Sequence, residues 1–124
     1  MSVPILRQGA YLIASIQSAL TDSEVLQLRD DLAAQVGKFR ARGIIIDVAA
    51  MDVIDSYVSR SLRSIALTTR LRGAETVIVG IQPDVAIAMV QFDLSLEAVH
   101  TTLDLEEAVT LLDGWTKEQD HRGG

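Results

Sequence analysis

Two stretches constrain this chain more than any other feature: Ile44-Ile45-Ile46-Asp47-Val48 and Thr76-Val77-Ile78-Val79. Both are almost unbroken in β-branched residues, and strands that read apolar on both faces are central strands, covered on each side. Between them Val58, Leu62, Ile65 and Thr69 recur at three- and four-residue steps, the stripe of a helix resting on a core. Strands alternating with helices in this way imply crossover connections and a largely parallel or mixed sheet in an α/β domain.

The remaining elements fall around this unit. Residues 3–6 and 11–16 are short apolar segments separated by Gln8-Gly9, which reads as a hairpin turn because glycine accepts positive φ. Thr21 and Glu24 have capping-box spacing, and Val25, Leu28, Leu32, Val36 and Phe39 then form one apolar face of a helix expected to end at Gly43. A second helix is expected to end at Gly73. Pro83 opens a short helix through Phe92, at a first-turn position where its missing N–H is harmless. A weaker strand covers about 98–101. Asp104 and Glu107 form another capping pair, for a last helix reaching about Trp115. The order is β-β-α-β-α-β-α-β-α, without an internal repeat or linker.

Composition narrows the function classes. Apolar residues make up 48% of 124 residues while aromatics make up 4%, so one aliphatic core is expected. The absence of cysteine excludes disulfides and thiolate chemistry and fits a reducing cytoplasm. A formal charge of −6 argues against a nucleic-acid binder, and Arg60, Arg63, Arg70 and Arg72 read as a solvated helix face. No apolar run has the length of a membrane span, and Arg7-Gln8 interrupts anything resembling a signal peptide.

Chemistry concentrates in residues 47–58, where a central strand ends, a loop follows and a helix starts at Asp55 or Ser56. Sites in open α/β sheets lie beyond such strand ends. Asp55 or Ser56 is first of all a helix cap. A nucleophilic Ser56 lacks the glycines of a nucleophile elbow and a base: His121 is in the tail and His100 is expected on an edge strand. No glycine-rich phosphate loop is present. Asp47, Asp52 and Asp55 read as a polar loop rather than a metal site or phosphoacceptor pocket, since no lysine follows the next long strand to complete one. Met51, Met89 and Trp115 read as packing residues. No catalytic residue, metal site or cofactor is expected.

The stretch Ile44-Ile45-Ile46-Asp47 followed by Met51-Asp52-Val53-Ile54-Asp55-Ser56 resembles the strand–loop–phosphoserine segment of STAS domains, the anti-anti-sigma factor family. Ser15-Ile16-Gln17, Gly73-Ala74, Gly80-Ile81-Gln82-Pro83 and Leu103-Asp104-Leu105-Glu106 are similar to family segments in the same order, so the resemblance spans nearly the whole chain. Simple anti-anti-sigma factors continue Asp-Ser-Ser/Thr-Gly-Leu, whereas Tyr57 and Val58 stand here, as in the stressosome branch. Ser56 rather than threonine, and no added sensory domain, resemble its RsbS-type scaffold antagonists. Thr21 departs from the acidic residue common in relatives and leaves Asp22 as its nearest substitute.

The resemblance implies a single STAS domain over residues 1–116, with a mixed, mostly parallel sheet and helices mainly on one face, and a polar, disordered tail at 117–124. It implies a cytoplasmic, non-enzymatic, homo-oligomerising phosphoprotein that co-assembles with RsbR-type STAS paralogues and holds a serine kinase of the RsbT type. Phosphorylation of Ser56 would release that kinase, with Asp22, Asp52, Asp55, Tyr57 and Val58 at the partner surface. Membrane and nucleic acid are not among the expected partners. A stand-alone anti-anti-sigma factor and, more remotely, a small α/β hydrolase using Ser56 are the alternatives.

Overall fold

The two β-branched runs form the centre of the sheet, as strands β3 (Gly43–Asp47) and β4 (Glu75–Val79), paired in parallel. The computed structural model describes residues 3–52, 54–91 and 99–123, with side chains described as far as Thr116. Around the centre lie β1 (Ile5–Gln8), β2 (Tyr11–Ser15) and β5 (His100–Thr102), in the spatial order β1-β2-β3-β4-β5. Among the described strand pairs β1–β2 is antiparallel, the hairpin turning at Gly9 with φ +60°, and the other three are parallel. The helices are α1 (Asp22–Phe39), α2 (Ser56–Arg70), α3 (Pro83–Gln91) and α4 (Leu105–Gly123).

Side chains alternate across the pleat and divide the core. Leu12, Ala14, Ile44, Ile46 and Ile78 point toward α1, α2 and α3, meeting Leu28, Leu32, Leu62, Ile65, Val85 and Met89. Tyr11, Ile13, Ile45, Val77 and Val79 point the other way, toward Ala108 and Leu112 of α4. Three helices thus share one face and the fourth closes the other, which explains why β3 and β4 read apolar on both sides. Ile44, Ile45 and Ile46 are fully buried, each such side chain contributing about 1.5–3 kcal/mol of transfer free energy. The buried hydroxyl of Thr69 donates to the Ile65 carbonyl at 2.8 Å and lies 3.2 Å from Thr76 Oγ1, so this polar pair is satisfied inside the layer.

Several boundaries differ from the sequence reading. Helix α1 stops at Phe39 rather than Gly43, because Arg40 takes the left-handed conformation (φ 52°) and ends it. Gly43 already belongs to β3, and the reason for glycine is packing: a Cβ there would lie 2.8 Å from Leu112 Cδ1 and 2.9 Å from Tyr11 Cδ1. Helix α2 stops at Arg70, and Gly73 (φ +92°) serves the turn into β4. Strand β1 sits two residues later than expected. Phe92 and Ala98, the expected end of α3 and start of β5, lie outside the described residues. Helix α4 continues past Trp115, since residues 116–122 contain no glycine or proline and several strong helix formers. No described helix is long and apolar enough to cross a membrane.

Candidate functional site

At the carboxyl end of β3 the chain makes a tight exit. Val48 N still donates to Val79 O (2.9 Å), the Asp47 carboxylate accepts from Ala49 N (2.9 Å), and Met51 N donates back to Val48 O (2.9 Å). Asp47 thus organises the turn, using a side-chain acceptor two residues before the amide it holds. Met51 and Ile54 are buried in the core and pin the loop, leaving Asp52 exposed between them. Val53 lies outside the described residues.

Asp55 ends the loop as the N-cap of α2. Its backbone is extended (φ −84°, ψ 179°), its Oδ1 accepts from Val58 N at 2.8 Å, and its carbonyl accepts from Ser59 N at 3.0 Å. Ser56 is therefore the first helical residue, and it is exposed. Tyr57 and Val58 are half-buried, with Val58 packed against the core. The other serines of α2 differ in accessibility. Ser59 is only 4% exposed and its hydroxyl has no hydrogen-bond partner among the described residues; Ser61 is half-buried and donates to the Tyr57 carbonyl at 2.8 Å. Ser64 is exposed two turns further on.

Asp22 opens α1 beside this region. Strands β2 and β3 are parallel neighbours, joined beyond the ladder by Ile16 N to Asp47 O (3.0 Å), so α1 and α2 start at the same sheet edge and pack together. The Thr21–Glu24 capping box is present in both directions, at 3.2 and 3.0 Å. The hydrogen bond from the Thr21 backbone, aided by the Thr21 side chain, holds the Glu24 carboxyl below its ordinary range. Asp22 itself is exposed. Asp55, Ser56, Tyr57 and Val58 are thus consecutive at the start of α2, Asp52 is exposed in the loop before them, and Asp22 lies at the same end of the sheet on the adjacent helix.

His100, on edge strand β5, packs in a tilted ring contact against Trp115 with centroids 4.4 Å apart, on the α4 face of the sheet, opposite the face that carries α2. The side chain of His121 lies outside the described residues. Among the described residues no group of three or more His, Asp or Glu could hold a metal ion. One feature of the site escaped the sequence reading. The Gly80-Ile81-Gln82 segment touches the Ala49 turn, Gln82 Nε2 donating to the Ala49 carbonyl at 2.8 Å across 33 positions. The glycine at position 80 was the only local signal.

Comparison with known proteins agrees with this fold. A family model described as the STAS domain matches residues 3–108. Among curated proteins, the RsbT co-antagonist protein RsbRA of Bacillus subtilis (strain 168) is 26% identical over 83 residues, covering 67% of this chain and 30% of that protein. This chain thus spans less than a third of the length of that relative. Among solved structures, a serine-to-glutamate variant of Moorella thermoacetica RsbS superposes with a TM-score of 0.78 at 30% identity, covering 93% of this chain and 97% of that one. A chain from the stressosome, described as a signal integration and transduction hub, gives 0.77 at 32% identity, covering 91% and 98%.

Proposed function

Because this chain belongs to the STAS-domain family, in its stressosome-type antagonist branch, we propose that it holds a serine kinase of the RsbT type and releases it once Ser56 is phosphorylated. In this reading it is a cytoplasmic scaffold rather than an enzyme, a homo-oligomer that co-assembles with RsbR-type STAS paralogues.

The carrying observation is the placement of Ser56 as the exposed first residue of α2, directly after a capped N-terminus. A phosphate there adds about −1.5 to −2 charges and strong acceptor oxygens. The free amides and positive dipole end of α2 accommodate that charge, so the fold survives the modification. The outer surface changes instead. A partner seated over a neutral hydroxyl would meet a hydrated dianion flanked by Asp52 and Asp55. Losing a few kcal/mol of coupling lowers affinity by roughly a hundredfold or more, since about 1.4 kcal/mol is tenfold. Phosphorylation becomes a local electrostatic event with a binding readout.

Two of the three other serines of α2 are poor competitors, and the third, Ser64, lies two turns beyond the helix start. Ser59 is buried and Ser61 is committed to a backbone carbonyl. Mass-spectrometric mapping after incubation with the cognate kinase and ATP tests the assignment: phosphate is expected on Ser56, and phosphate mainly on Ser59 or on a threonine would sink it.

A further inference from the structure

Gln82 joins two loops that the mechanism above treats separately. Its side-chain amide donates to the Ala49 carbonyl at 2.8 Å, while its own carbonyl accepts from Ala86 N at 2.9 Å as α3 begins. Two residues earlier, Gly80 has φ +84°, and a Cβ there would stand 2.8 Å from Ala49 Cβ and 3.2 Å from Ala49 Cα. Gly80 N donates in turn to Thr102 O at 3.3 Å. The 80–82 segment is thus held between β5 and the Ala49 turn, at an approach that only glycine permits.

Ala49 is where the Ser56 loop leaves the sheet. Its N–H is held by Asp47 and its carbonyl by Gln82, so the peptide units on both sides of this residue are tied. The next anchors are the buried Met51 and Ile54, and Asp55 then caps α2. We infer that Gln82 is a positioning residue for Ser56: its amide fixes the Ala49 turn, and through it the anchors Met51, Ile54 and Asp55, in the arrangement a kinase recognises. This rests on the reading of Ser56 given above. Gln82 is half-buried with its amide turned to Ala49, so its influence runs through the loop. A loop that opens more often weakens apparent affinity by the fraction of competent molecules, while the step after binding is unchanged.

Gln82→Ala removes the tie, and Gln82→Glu keeps the length while removing the donor. In both, amide exchange at Ala49 and Met51 is expected to rise about three- to tenfold, the size of one net hydrogen bond, with exchange at Ile45 in β3 unchanged. For Ser56 phosphorylation by the cognate serine kinase, KM should rise with kcat unchanged. Gly80→Ala, which pushes the same turn outward, should give the same pattern. Unchanged exchange at Ala49 and Met51, or an equal rise at Ile45, overturns the tie. Faster loop exchange with unaltered KM, or with a loss confined to kcat, overturns the role in recognition. Absence of Ser56 phosphorylation in the unaltered chain overturns the proposed function and Gln82's part in it, while the exchange data still judge the tie.

Discussion

Replacing Asp55 by alanine separates what the site owes to folding from what it offers a partner. Asp55 Oδ1 accepts from Val58 N at 2.8 Å, and the first turn of α2 contains no acidic residue of its own. Loss of such an N-cap costs about 1 kcal/mol. The lost attraction between its charge and the helix dipole is worth about 0.3–1 kcal/mol at an exposed site and partly overlaps the first figure. About 1–1.5 kcal/mol is therefore expected for Asp55→Ala. With an unfolding entropy of about 2.1 cal/mol/K per residue over 124 residues, the melting temperature should fall by about 4–6 °C. Asp55→Asn keeps the acceptor and loses only the charge, so it should lose less than half as much, and added salt should shrink its difference from the unaltered chain. Urea unfolding and calorimetry at neutral pH measure both. An alanine variant melting within about 1 °C of the unaltered chain, or an asparagine variant as damaged as alanine, would refute the capping role. Because the asparagine variant retains the fold, it is the one in which a change in kinase capture reports on the Asp55 charge.

Gly43→Ala should lower stability by about 1–3 kcal/mol through overpacking against Leu112 and Tyr11, read as a lower urea midpoint at unchanged slope. An unaltered midpoint would show that this contact yields freely. Burial, followed by the hydrogen bond to Asp113, holds the Tyr11 hydroxyl above its ordinary value of 10.0. A raised folded-state value means a contribution complete below about pH 10 and lost as pH rises through the folded-state value, so Tyr11→Phe should flatten the alkaline loss of stability. Thermal melts between about pH 8 and 11 check this, and an equally steep loss in the phenylalanine variant contradicts it. Asp52 is exposed at the rim of the proposed partner surface, so Asp52→Ala should slow kinase association and flatten its salt dependence more than it changes dissociation. Binding kinetics at two ionic strengths decide, and an unchanged association rate removes Asp52 from the interface.

What the sequence revealed was governed by local physics. The β-branched runs, the Thr21–Glu24 box and the stripes of α1 and α2 each arise within a few residues, and the structure places these elements in the predicted order. The second capping pair was also readable, though Glu107 Oε2 reaches Leu103 N rather than the Asp104 amide. Errors arose where distant residues decide. Gly43 looked like a helix stop, but its requirement comes from Leu112 in the opposite layer, and Arg40 ends α1 in a conformation that few non-glycine residues take. The ties from Tyr11 to Asp113 and from Gln82 to Ala49 span 102 and 33 positions, and no periodicity announces them. At the site, a cap at Asp55 or Ser56 and the exposed start of α2 are readable, whereas the choice of Asp55 and the burial of Ser59 require the packed structure.

In the function proposed for this chain, one phosphate on Ser56 turns a kinase-holding surface into a releasing one. The most direct measurement of that switch is the affinity of the cognate kinase for this chain before and after stoichiometric phosphorylation at Ser56, with melting temperatures recorded on the same samples. The dissociation constant should rise roughly a hundredfold or more while the melting temperature moves by only a few degrees. Equal affinity in the two forms, or a loss of binding accompanied by unfolding, would contradict the proposal.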